Sequence, residues 1–163
     1  TDRLARFAEE GVDVAVRVGE PQDADLRVRR LCRTRWQIVA SPAYLAQHGI
    51  PQRIEDLAQG LRFLAPNGKP RPWVLGGQTS ELAGPLLVDH GPTLVDAALV
   101  GLGAAQVLDF MVKDLIAESR LIPILDSYSH EGPGIYAVYA RGRQRNANIR
   151  VVLDALQEAF AAI

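Results

Sequence analysis

The chain has 163 residues, 48% of them apolar and 23% charged, with a formal net charge of −1. A globule of this length hides roughly 70% of its unfolded surface, so its core needs neither metal nor disulfide, and Cys32, the single cysteine, excludes an internal disulfide and a cysteine-based zinc site. The near-neutral balance excludes a domain that draws nucleic acid by bulk charge, no apolar run reaches the ~18 residues of a membrane span, and no signal peptide opens the chain.

In chain order, Leu4, Phe7 and Ala8 recur at helical spacing, and Gly11 closes that segment as a glycine just past a helix end does. Val12 to Val18 alternates into an apolar strand, and Glu20 to Asp25 is a polar, proline-containing loop. Leu26–Leu31 and Trp36–Ala40 are strand-like, and the short link Arg33-Thr34 predicts that they pair as an antiparallel hairpin. Arg27, Arg29, Arg30, Arg33 and Arg35 make this stretch locally basic, the pattern of a solvated strand face.

Ser41-Pro42 starts a helix: serine is a preferred N-cap, and proline at the first helical position forfeits no hydrogen bond. Gly49 and Pro51 stop it, and a second short helix is expected around Ile54 to Ala58. Strands follow at Leu61–Ala65 and Trp73–Leu75, separated by the proline- and glycine-rich loop Pro66–Pro72, expected to be the most mobile stretch. The second half alternates: strand Leu86–Asp89, helix from about Pro92 to Val100, buried strand Ala104–Leu108, helix Phe110–Glu118, strand Leu121–Leu125. That alternation predicts βαβ units with a parallel sheet and right-handed crossovers. After a polar loop come strand Ile135–Ala140 and a last helix from about Asn146, with Ile149, Val152, Leu153, Leu156, Phe160 and Ile163 on one face.

Catalytic chemistry is sparse. His48, His90 and His130 lie on separate loops without metal-ligand spacing, and no GxSxG elbow surrounds a serine. Gly101-Leu102-Gly103 follows a helix, whereas a dinucleotide fingerprint follows a strand. Asp89-His90 resembles half of an acid–base pair but has no nucleophile in view. Neither a catalytic residue nor a metal or cofactor site is expected. Asp89 to Thr93 differs, because a strand ends there, Gly91 permits a turn and Pro92-Thr93 opens a helix. The free N–H groups at such a start can hold a carboxylate or another anion. Ser41 makes a second helix start with a hydroxyl. Two readings stand for both residues: caps for their own helices, or walls of one ligand cleft.

Four phrases, GVDVAVRVGE (from Gly11), ASPAYLAQHGIPQRIEDL (from Ala40), VDHGPTLVDAALVGLGAA (from Val88) and IYAVYARGR (from Ile135), come in an order and spacing that resembles the effector-binding domain of LysR-type transcriptional regulators. The resemblance covers nearly the whole chain. It implies an α/β fold like the type II periplasmic binding proteins, with two Rossmann-like lobes joined by two crossover strands. Lobe I would comprise residues 1–40 with 135–163, and lobe II residues 41–134, with crossovers near Ala40-Ser41 and Gly134-Ile135. It also implies a small effector, anionic or aromatic, bound between the lobes, with Ser41 and Pro42 at the first hinge, Thr93 at the lobe II helix start, and Arg17 at the end of the VAVRVG strand. Further implications are a cytoplasmic regulator, a homodimer or homotetramer, and DNA contact only through an N-terminal winged helix-turn-helix. The alternatives are a periplasmic-type solute-binding protein for transport and an enzyme on the same scaffold, for which no acid, base or nucleophile set is evident.

Three departures from the family pattern stand out. In the family a helix-turn-helix and the first strand, helix and second strand of lobe I come before the segment matched here, so in these 163 residues lobe I is expected to be incomplete, the pocket to lack one wall, and the Val12–Val18 strand to have an open edge. Gln106-Val107-Leu108 stands where many members end in an apolar residue followed by Leu-Pro.

Overall fold

The computed structural model describes residues 11–21, 23, 25–57, 60–63, 69–76, 78–80, 86–142 and 146–161. The helix expected on Leu4, Phe7 and Ala8 lies outside the described residues, as does much of the Pro66–Pro72 loop. The strands are β1 (Ala15–Val18), β2 (Leu26–Cys32), β3 (Arg35–Ala40), β4 (Gly60–Phe63), β5 (Trp73–Leu75), β6 (Gln78–Ser80), β7 (Leu87–Val88), β8 (Ala104–Leu108), β9 (Ile122–Ile124), β10 (His130–Glu131) and β11 (Ile135–Ala140). The helices are α1 (Pro42–His48), α2 (Gly91–Leu99), α3 (Lys113–Ala117) and α4 (Ala147–Ala161), with 3-10 turns at Ile54–Asp56, Asp109–Met111 and Asp126–Tyr128.

Contacts divide the chain into two compact units, Thr1–Thr34 with Gly132–Ile163, and Arg35–Glu131. The chain therefore passes from one unit to the other at Thr34/Arg35 and Glu131/Gly132. The reason lies in β3, whose whole ladder runs to β8, β9 and β10. For the same reason β2 and β3 do not form the hairpin expected from Arg33-Thr34: β2 pairs with β11. A two-residue hairpin loop wants residues such as Asn-Gly that tolerate positive φ, and Arg33-Thr34 supplies none.

The second unit is built on a six-stranded sheet in the order β10-β3-β8-β4-β7, with β9 also paired to β3. The pairs β4–β7 and β4–β8 are parallel, and β3 runs antiparallel to β8, β9 and β10. The strands of the alternating second half, β7, β8 and β9, run in one direction as expected, and β3, from outside that run, is reversed among them. Every residue of β8 is buried, as in a strand covered on both faces, and only Gln106 among them is polar. One face packs Val39, Ala105 and Val107 under α2 residues Leu94, Val95, Ala97 and Ala98, with Val112 and Leu121. The other packs Ile38, Ala40 and Ala104 under Tyr44 and Leu45 of α1 and Trp73 and Leu75 of β5. Gln106 joins this second face: its amide donates to the Val74 carbonyl at 2.7 Å and accepts from the Val74 N–H at 3.0 Å, so the β5–β6 hairpin is pinned to β8 by a side chain acting as a strand rung.

The first unit has a three-stranded sheet, β1-β11-β2, with both outer strands antiparallel to β11. Helix α4 lies on one face of it. Ile149 and Leu153 are buried, Gln157 Nε2 donates to the Leu31 carbonyl at 2.9 Å, and Arg29 pairs with Asp154 at 2.7 Å. Val152, expected on the inner stripe, is 45% exposed. Where the chain leaves this unit, the Gly132 N–H donates to the Thr34 carbonyl at 2.8 Å, and the Thr34 hydroxyl donates to the Pro133 carbonyl at 2.6 Å.

Candidate functional site

The two helix starts singled out in the sequence are built differently. Ser41 has extended backbone, and its Oγ accepts from the Tyr44 N–H at 3.3 Å, with Pro42 next in the first helical position. That is a complete cap, and Ser41 is buried while Pro42 is exposed. Helix α2 instead starts after His90, which makes no side-chain cap bond. Gly91 and Pro92 fill its first positions, and Thr93, exposed, sits within the first turn with Oγ1 3.0 Å from His90 Nδ1. Thr93 is therefore not the cap of its helix. Gly91 is packed closely: a Cβ there would lie 2.6 Å from Met111 Cε.

At its other end α2 closes with Gly101 at φ +82°. The Gly101 N–H donates to the Ala98 carbonyl and the Leu102 N–H to the Ala97 carbonyl, the paired bonds of a Schellman motif. A Cβ on Gly101 would stand 3.4 Å from Ser41 Oγ and 3.8 Å from Tyr44 N. Ser41 thus packs beside the C-terminal end of α2, whereas Thr93 is in its first turn. Eight residues at 1.5 Å each put the two ends roughly 12 Å apart. The two starts do not converge. Ser41 and Pro42 also lie off the first passage between units: they follow β3, and six residues of strand span about 20 Å.

Arg17 belongs to the first unit. It stands opposite Tyr136 on β11, which in turn stands opposite Arg30 on β2. One residue beyond β1, the Gly19 N–H donates to the Gly134 carbonyl at 2.8 Å, next to the second passage of the chain. The Arg17 Nε is buried and has no hydrogen-bond partner among the described residues. The β11–β2 register shifts between Ile135 and Tyr136, and this pairing across β11 is not written in either strand. Alternation within β2 was the available signal, since it places Arg30 on the face opposite Arg29. Gln106 was noticed only as a departure, yet it holds β5.

Among the described residues no group of His, Cys, Asp and Glu could hold a metal ion, and no helix is long and apolar enough to cross a membrane.

Residues 1–161 match the model of the LysR substrate binding domain. The chain belongs to that family. The HTH-type transcriptional regulator CrgA of Neisseria meningitidis serogroup C is 38% identical over 156 residues, covering 92% of this chain and 52% of CrgA. The HTH-type transcriptional regulator DmlR of Escherichia coli is 30% identical, covering 98% of this chain and 54% of DmlR. The solved regulatory domain of the Neisseria CrgA superimposes with a TM-score of 0.83 at 36% identity, covering 94% of this chain and 78% of that one. The chain thus spans about half the length of the curated relatives it matches, and these relatives are transcriptional regulators, not enzymes.

Proposed function

We propose that this chain is the ligand-sensing part of a longer DNA-binding regulator of LysR type. It takes up a small anionic or aromatic effector. The observation that carries this reading is the match along residues 1–161 to a substrate-binding domain whose full-length relatives are named as HTH-type transcriptional regulators. Ligand binding shifts such a domain only through differential affinity for two conformations, and the readout would be the geometry of a homodimer or homotetramer. DNA contact would belong to a helix-turn-helix elsewhere in the protein, and the cytoplasm is where such a regulator works. Those relatives also favour the regulator over a transport solute-binding protein.

Each unit is considered by itself: in the first, Arg17 carries a buried donor without a hydrogen-bond partner, and in the second, Thr93 is exposed in the first turn of a nine-residue helix. Ser41 and Pro42 have their roles filled by α1. A thermal-shift screen of carboxylates and aromatics on the full-length protein tests the reading. An effector at 100 times its dissociation constant raises stability by about 2.7 kcal/mol. No shift across a broad panel contradicts a sensing role.

A further inference from the structure

The two segments in which the chain passes from one unit to the other are stretches of a single ladder. In the first unit β2 runs antiparallel to β11, from Leu26 opposite Ala140 to Arg30 opposite Tyr136. In the second, β3 runs antiparallel to β10, with Arg35 opposite Glu131 and Trp36 opposite His130. Five residues forward from Arg30 and five back from Tyr136 lead to Arg35 and Glu131, so both stretches keep the same pairing offset. Between them lies a fault, wholly within the first unit. There Ile135 stands opposite Cys32, one residue out of step, and the register shifts between Ile135 and Tyr136. The sequence accounts for its place, because residues 132–134 are Gly-Pro-Gly. Proline brings no N–H to a ladder and glycine no side chain to pack, and both weaken a strand pair.

Thr34 bridges this fault. It is 1% exposed, its carbonyl accepts from the Gly132 N–H at 2.8 Å, and its hydroxyl donates to the Pro133 carbonyl at 2.6 Å. A side-chain hydroxyl thus supplies a rung where the backbone ladder is out of step. On the far side, the Gly134 carbonyl is held by the Gly19 N–H at 2.8 Å, so the Gly-Pro-Gly stretch is fastened to β1 at one end and to Thr34 at the other. Losing the hydroxyl would leave the Pro133 carbonyl to find another donor, and the nearest remedy is for the stretch to lift away toward water. We propose that Thr34 is the latch of a flexing point built into this ladder. With its hydroxyl on Pro133, residues 132–134 stay against Thr34. With that bond broken they open locally, while β8 and α4 keep their structure. Thr34 acts through Pro133 and is a positioning residue. The proposal involves no ligand, so its failure and the failure of the sensing reading are separate events.

Backbone amide hydrogen exchange on the full-length protein, read from overlapping peptides, tests it, with β8 and α4 as internal references. In the parent, residues 132–135 are expected to exchange faster than residues 136–140, which lie in the regular part of the ladder. Thr34→Val keeps the shape of the side chain and removes the donor. It is expected to speed exchange at 132–135 about tenfold, the scale of one lost hydrogen bond, and to leave β8 and α4 as they were. Thr34→Ser keeps the hydroxyl and is expected to restore the slow exchange. Uniform exchange along 132–140 in the parent overturns the flexing point. Exchange in Thr34→Val equal to the parent's overturns the latch, and so does a rise shared equally by β8 and α4, which is the mark of a merely structural residue. A Thr34→Ser protein as fast as Thr34→Val overturns it too, since the hydroxyl then decides nothing. Should Thr34→Val not fold, Thr34→Ala against Thr34→Ser makes the same comparison with the same outcomes.

Discussion

Helices α1 and α2 begin with nearly the same sequence device, a turn-forming residue followed by proline, and use it for opposite ends. At Ser41-Pro42 the hydroxyl is spent on the Tyr44 N–H and sealed beside Gly101. At Gly91-Pro92-Thr93 the cap position belongs to His90 without a side-chain bond, and the threonine hydroxyl stays in the exposed first turn. Position relative to the strands explains the difference. Helix α2 follows β7, which runs with the parallel strands, and in open α/β sheets ligands gather at the carboxyl ends of those strands. Helix α1 follows β3, the one reversed strand of this sheet, and so starts at the opposite end.

Substitutions along α2 sharpen this contrast. Leu94, one residue past Thr93, is buried in the α2 cluster, so Leu94→Ala is expected to cost about 2–5 kcal/mol, read from denaturant midpoints. Gly101→Ala forces a side chain onto φ +82° against Ser41 Oγ, with an expected loss of roughly 1–2 kcal/mol and a lower melting temperature. Ser41→Ala removes the α1 cap and should cost about 1 kcal/mol. Thr93→Val, at an exposed residue, should stay within ~0.5 kcal/mol of the parent. A Thr93 change as costly as the Ser41 change would break the contrast.

Much of the fold was legible. The Ser41-Pro42 start, the Gly49 stop, the buried β8 run and the α4 stripe of Ile149 and Leu153 all follow from local propensity and periodicity, and the resemblance supplied the family. What failed was non-local. The separation of β2 from β3 and the direction of β3 in its sheet depend on which strands pair, and pairing partners are distant in sequence. Burial at Val39 and Ala40 looks the same in a parallel or an antiparallel ladder. The site shared this fate. Ser41 and Thr93 were each recognised as helix-start residues, but whether they meet depends on the direction of β3.

The most direct test pairs two substitutions in the full-length protein against an effector found by thermal shift, with affinity measured by calorimetric titration. Thr93→Val is expected to weaken the effector at nearly unchanged stability, and Ser41→Ala to lower stability at unchanged affinity. The reverse outcome, in which Ser41→Ala weakens the effector and Thr93→Val does not, would contradict the account.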